Sequence, residues 1–288
     1  MPIHHAIWQI GEKPTPLQAS GRPIGRNEQG AFVRMTPHLP TPRAAWRCLN
    51  AVMWALALGA ALPASAADPA ARTATPAPGV YATEGGFGQL TVQAPVGGAS
   101  RFAIETQGAN GHSCALDGTI RGGRAQLETT PGDPACVIGF EPLASGYRVS
   151  GSGGGECRYF CGARAGFEFD YLPLPAACET QQVQRQRDRF LRDYKAKRYG
   201  DAAPVLQTLL AQCERWLNWF EVGEVRNDLA ITQYHLGQKA ACRATLAPVA
   251  ATATRNRHTL QASLPPTDFE SYLPIAKATW HNLKLCRR

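Results

Sequence analysis

The chain has 288 residues, nine cysteines and a formal charge of +8. Half of that basic excess sits in residues 1–66, and without them the charge falls to +4. That removes the overall basic character on which nucleic-acid binding would rest.

Residues 51–62 read AVMWALALGAAL, preceded by Arg43 and Arg47 and followed by Ala64-Ser65-Ala66. These are the charged, apolar and small-residue regions of a secretory signal peptide. The apolar run falls short of the roughly 20 residues that a membrane span needs. Met35 stands just ahead of the arginines, so residues 1–34 read as a gene-model extension and 35–66 as the signal. Cleavage is expected near Ala66/Ala67, delivering a periplasmic or secreted chain with no membrane span. Residues 67–78, ADPAARTATPAP, read as a disordered linker.

Export governs the cysteines. Cys48 leaves with the signal, and Cys114, Cys136, Cys157, Cys161, Cys178, Cys213, Cys242 and Cys286 remain. An even number in an oxidising compartment reads as disulfides before metal or thiol chemistry. Eight cysteines allow 105 complete pairings. The favoured set is Cys114–Cys136, Cys157–Cys161, Cys178–Cys213 and Cys242–Cys286, with Cys161–Cys178 as an alternative.

Residues 79–172 form the first expected domain. Period-two apolar pairs recur at Leu90/Val92, Phe102/Ile104, Ala125/Leu127, Ile138/Phe140, Tyr147/Val149 and Phe167/Phe169/Tyr171. Between them lie the turn signals Gly97-Gly98, Gly108 to Gly111, Arg121-Gly122-Gly123, Pro131 to Pro134 and Gly153-Gly154-Gly155. This pattern predicts a small antiparallel barrel or sandwich of about seven strands. Residues 173–177, PLPAA, read as a stiff hinge.

Residues 178–288 are expected to be all-α. Helices are predicted over 181–197, 202–217, 225–236, 238–250 and 272–285, the second with the stripe Val205, Leu206, Leu209, Leu210, Trp216. The fold class is therefore α+β with two segregated domains. Charge separates them too: residues 79–178 carry six basic against nine acidic residues, whereas 179–288 carry 17 against 10.

The segments Tyr199-Gly-Asp-Ala202-Ala-Pro-Val-Leu206 and Asn227-Asp-Leu229-Ala230-Ile-Thr-Gln-Tyr234-His-Leu-Gly237, the latter followed by Cys242 and Leu246, resemble tetratricopeptide repeats. The resemblance covers about residues 181–250. It departs from the family where Cys242 replaces a small alanine, and where Ala202 and Cys242 lie 40 apart against a period of about 34. Two such units also fall below the usual minimum of about three. The resemblance implies binding of peptides or proteins in a groove. Ser145-Gly146-Tyr147 resembles, over three residues, a loop of small periplasmic lysozyme inhibitors, which implies an envelope inhibitor or scaffold.

No nucleophile elbow, phosphate loop or dinucleotide fingerprint appears. Cys157-Arg-Tyr-Phe-Cys161 has one residue too many for a redox motif; a zinc site needs two further ligands, and His112 beside Cys114 is the only histidine of residues 79–172. The reading is a non-enzymatic module that binds a protein or peptide partner of the envelope, with no catalytic residues, cofactor or metal. Trp216, Trp219, Phe220, Tyr147 and Arg148 are the candidate binding surface. The alternative is a cell-wall or glycan hydrolase using carboxylates such as Asp117, Glu128 and Glu141.

Overall fold

The computed structural model describes residues 74–254 and 256–287. The signal segment, and residues 67–73 of the expected linker, lie outside them. The described chain is α+β in two consecutive segments: an eight-stranded antiparallel, nearly closed barrel and then six helices.

The barrel strands are β1 (Gly79–Ala82), β2 (Gly88–Val92), β3 (Ser100–Gln107), β4 (Ser113–Ile120), β5 (Arg124–Leu127), β6 (Cys136–Pro142), β7 (Tyr147–Gly151) and β8 (Asp170–Pro173). They run up and down in the order β4-β3-β2-β1-β8-β7-β6-β5. Alternation sends one side chain in two inward. Leu90, Ile104 and Leu116 stand in register across β2, β3 and β4, and Phe140 faces Val149 across β6 and β7. All five are buried in one core with Phe102, Ile120, Ile138 and Tyr171. Glycines at positive φ make the turns at 97–98, 122–123 and 132, as the sequence signals require.

Consecutive strands β4 and β5 form a seam at which the ladder is interrupted. Their turn keeps a single bridge, Arg121 with Arg124. Beyond it, side chains close the wall. A Cβ on Gly118 would stand 2.5 Å from Leu127 Cδ2, so Leu127 of β5 lies directly over the glycine of β4.

Both ends of the barrel are covered. Residues 74–78, the end of the expected linker, cross one end. There Ala74 N–H donates to Phe140 O, Gly123 N–H donates to Thr75 Oγ1 and Tyr81 Oη donates to Ala77 O. The long β7–β8 connection covers the other end, burying Ala165 and Phe167 in the core. The alternation Phe167/Phe169/Tyr171 predicts a strand from Phe167. Instead the strand starts at Asp170, and Tyr171 Oη donates to Phe167 O.

Two of the expected disulfides need correction. Cys114 pairs with Cys161 and Cys136 with Cys157. Cys114 and Cys136 sit on β4 and β6, which flank the seam with β5 between them, so they are not neighbours. The turn Glu156–Phe160 buries Cys157 and directs it to β6, while Cys161 bridges to β4. The two bonds staple the covering segment across the seam. Cys178–Cys213 and Cys242–Cys286 form as expected, which leaves no Cys161–Cys178 bond.

The helices are α1 (Thr180–Lys195), α2 (Tyr199–Cys213), α3 (Trp219–His235), α4 (Lys239–Ala253), α5 (Arg257–Ser263) and α6 (Pro266–Arg287). The turns α1–α2 and α3–α4 are built alike, 40 residues apart. Lys197 and Gly237 both take positive φ, and each follows the same three backbone bonds: Ala196, Lys197 and Arg198 donate to Arg192, Tyr194 and Asp193, and Leu236, Gly237 and Gln238 donate to Thr232, Tyr234 and Gln233. Ala202 and Cys242, then Leu206 and Leu246, are buried at equivalent places. Helix α6 packs on α3 and α4. Between them Asn227 Nδ2 donates to Gly223 O and Thr279 Oγ1, and Asn282 Nδ2 donates to Asn227 Oδ1.

Candidate functional site: a cleft between barrel and helices

Two hairpin tips at one end of the barrel clasp the helical segment. At the β1–β2 tip, Gly85 N–H donates to Arg215 O at 2.8 Å, and Glu84 forms an ion pair with Arg215. Gly86 has φ +66°, and a Cβ there would lie 2.5 Å from Trp216 O. Only glycine permits that approach. At the β3–β4 tip, Asn110 N–H donates to both carboxylate oxygens of Asp268 at 3.0 Å. In return Thr267 N–H donates to Asn110 Oδ1, which caps the start of α6.

A cleft of about 490 Å³ lies between the outer face of β2–β4 and helices α1 and α3. Its barrel wall carries Phe87, Gln89, Glu105 and Gln107, its helical wall Gln184 and Arg187, and its edge Trp216 and Glu221. Alternation in β3 explains the barrel side, because Phe102 and Ile104 point inward and leave Glu105 and Gln107 exposed outside.

The helical wall is unusually charged. Glu221, Glu224 and Asp228 recur at three and four residues and so share one face of α3. Arg187 of α1 meets that face, pairing with Glu224 at 2.7 Å with both side chains mostly buried. Glu221 also closes a capping box: Asn218 Oδ1 accepts from Glu221 N–H, and Asn218 N–H donates to Glu221 Oε2. Burial pushes the Glu221 carboxyl above its ordinary range, opposed by the Asn218 N–H and Arg187 and assisted by Glu224. Deeper along the helix Asp228 is only 5% exposed. Burial pushes its carboxyl up to about 7, against the pull of Arg187, and its Oδ1 has no hydrogen-bond partner among the described residues.

The aromatic residues picked out from sequence gather at the α2–α3 junction. Trp216 borders the cleft under the Arg215 guanidinium, 5.1 Å from its ring centroid. Trp219 stacks on Tyr272 at 4.6 Å and touches Phe220, whose ring packs into the core formed with α6. Tyr147 and Arg148 are not brought to this place. They lie at the start of β7, at the end of the barrel away from the clasps, where Tyr147 packs edge-on against Tyr81 and Arg148 pairs with Asp170. Gly146 of the Ser-Gly-Tyr loop takes φ +91° where a Cβ would meet Tyr171 O at 2.1 Å. Asp117 and Glu128 project from the outer surface, and Glu141 is half-buried.

The sequence reading missed Arg187, Glu221, Glu224 and Asp228, because charges on a helix ordinarily mark its solvated face. For the three carboxyl groups the available signal was their regular spacing inside a helix that also buries Val225, Asn227, Leu229, Ala230 and Thr232. Such a helix has no free face.

Among the described residues no group of three or more His, Cys, Asp or Glu side chains is arranged to hold a metal, and no helix is long and apolar enough to cross a membrane. The four disulfides point to an oxidising location, extracellular or periplasmic. The fold and site define a disulfide-stapled barrel joined to a helical array, with a polar cleft between them. No family model matches the chain, and neither does any curated protein or solved structure.

Proposed function

We propose that this is an exported protein of the periplasm or cell exterior that binds a peptide segment of a partner in the cleft between barrel and helices. The observation that carries the reading is the cleft itself. It is concave, about 490 Å³ in volume, and walled by the barrel and the helices. Sites of this size with a few convergent polar groups on an apolar frame are the usual form of a binding site. The matching turns after α1 and α3 support a tetratricopeptide-like array, and both of these helices contribute to the cleft wall. The signal peptide ending near Ala66/Ala67 supplies the route of export. We read the molecule as a binding protein and not as an enzyme.

The test is selection from a random octapeptide library on the immobilised exported chain, with Ala115→Trp as the control. Ala115 lies on the barrel wall of the cleft and its side chain is exposed, so the indole fills the space without entering the core. The reading expects peptides that bind the wild type and are lost from the variant. If no peptide is retained, or if retention ignores Ala115→Trp, the reading is wrong.

A further inference from the structure

The cleft has a definite charge preference. Glu105 on the barrel and Glu221 on α3 line it, and Arg187 is the one cation among its lining residues. That guanidinium is already engaged by Glu224 at 2.7 Å. Behind the pair stands Asp228, 5% exposed and with Oδ1 unpartnered. With Arg187 spent on Glu224, the two carboxylates that line the cleft, Glu105 and Glu221, have no cation left among the lining residues. An anionic ligand entering here meets that excess, whereas a cation compensates it. Glu221, half-buried, acts through a lower dielectric than the exposed Glu105 and carries the larger share of this preference. The rim adds Phe87, whose ring face attracts ammonium and guanidinium groups; the Trp216 ring beside it already carries the Arg215 guanidinium.

We propose that the cleft receives the side chain of a lysine or arginine from the partner's peptide segment, with Glu221 and Glu105 as its counter-charges and Phe87 as its aromatic rim. This rests on the binding role proposed above and names the chemistry that role selects. The clasps at Glu84–Gly86 and Asn110 fix the barrel to the helices without a ligand, so little ordering cost falls on binding. The volume suits one long side chain and its backbone, not a folded domain.

Proton linkage gives the site a signature. Burial holds the Glu221 carboxyl high. The charged groups facing it are Arg187 on α1, Glu224 on its own helix and Glu105 across the cleft, together with the Asn218 N–H. A bound cation favours the carboxylate, so binding releases protons while Glu221 is partly protonated. Affinity rises with pH through that window and levels off once the free protein is ionised.

The experiment is calorimetric titration of the exported chain with octapeptides of three kinds: containing Lys and Arg, containing Asp and Glu, or uncharged. Buffers of different ionisation enthalpy count the protons released. The Lys/Arg peptides are expected to bind tightest. Glu221→Gln, which keeps an oxygen for the Asn218 N–H, should weaken them by about tenfold and abolish proton release. Glu105→Gln alters only an exposed strand position, so it reads the same preference even if the helix variant misfolds, and should weaken them by a few-fold, on the order of 3. Acidic or uncharged peptides that bind at least as tightly, yet are lost with Ala115→Trp, would overturn the charge preference while leaving the cleft a binding site. Unchanged affinity in both Gln variants would also overturn it. Absence of any cleft-dependent binding would remove the binding role itself.

Discussion

Asp228→Asn should stabilise the protein at alkaline pH and leave it nearly unchanged in acid. Asp228 lies on the buried α3 face, and burial pushes its carboxyl from 3.8 up to about 7. Between those values the folded chain keeps a proton that the unfolded chain has released. Stability therefore falls as pH rises through the window, and the full cost persists above it. A rise of that size corresponds to at most about 4 kcal/mol. Asparagine keeps the shape of the protonated side chain without the charge. The variant should gain about 2 kcal/mol or more at pH 8, after allowing for the lost attraction of Arg187, and close to nothing at pH 4. Urea denaturation of both proteins at the two pH values measures the difference. A variant less stable than wild type at pH 8 would show that Asp228 is ionised and paired in the folded protein, and a difference that ignores pH would show that burial does not shift its carboxyl; either refutes the reasoning.

Other outcomes follow from the same geometry. Gly118→Val places side-chain atoms where Leu127 Cδ2 and Phe102 Cε1 already stand, and should cost about 1–3 kcal/mol by urea denaturation; Leu127→Ala on that background should return part of it. Replacing Cys114 and Cys161 together by alanine releases a closure of 47 residues, with an expected loss of about 4 kcal/mol. Non-reducing peptide mapping should find Cys114 joined to Cys161 and Cys136 to Cys157, and a bond within the 157–161 peptide would contradict the stapled seam. Asn110→Ala removes the acceptor for Thr267 N–H and should cost about 1 kcal/mol, read as faster proteolysis at residues 173–177 with little change in barrel circular dichroism.

The fold class was legible in sequence because its signals are local. Alternation at Leu90/Val92, Phe102/Ile104 and Ile138/Phe140 and the glycines of the turns mark strands without reference to anything distant. Strand β4 was harder to see, because Gly118 interrupts the apolar alternation of Cys114, Leu116 and Ile120, and the reason for that glycine is a contact with Leu127 across the seam. Strand β1 has four residues and too little pattern to stand out. The disulfides divided along the same line. Cys178–Cys213 ties the residues just before α1 to the end of α2, its hairpin partner, and Cys242–Cys286 ties the last helix back to α4. Partners for Cys114 and Cys136 depend on β5 separating β4 from β6, a fact of topology. The cleft was least legible of all: Phe87, Glu105, Arg187 and Glu221 come from four separate elements, and their meeting depends on how barrel and helices dock. Asp228 reads as one more surface charge until α1 is packed over it.

The central claim is that the cleft, and not the Tyr147 end of the barrel, is where the protein meets its partner. Nuclear magnetic resonance of the isotope-labelled exported chain, titrated with a Lys/Arg octapeptide, tests it most directly. The amides that shift should be those of residues 86–89, 105–107, 184–187 and 216–221, with Arg148 and its neighbours silent. Shifts confined to residues 143–149, or spread without a centre over the surface, would contradict it.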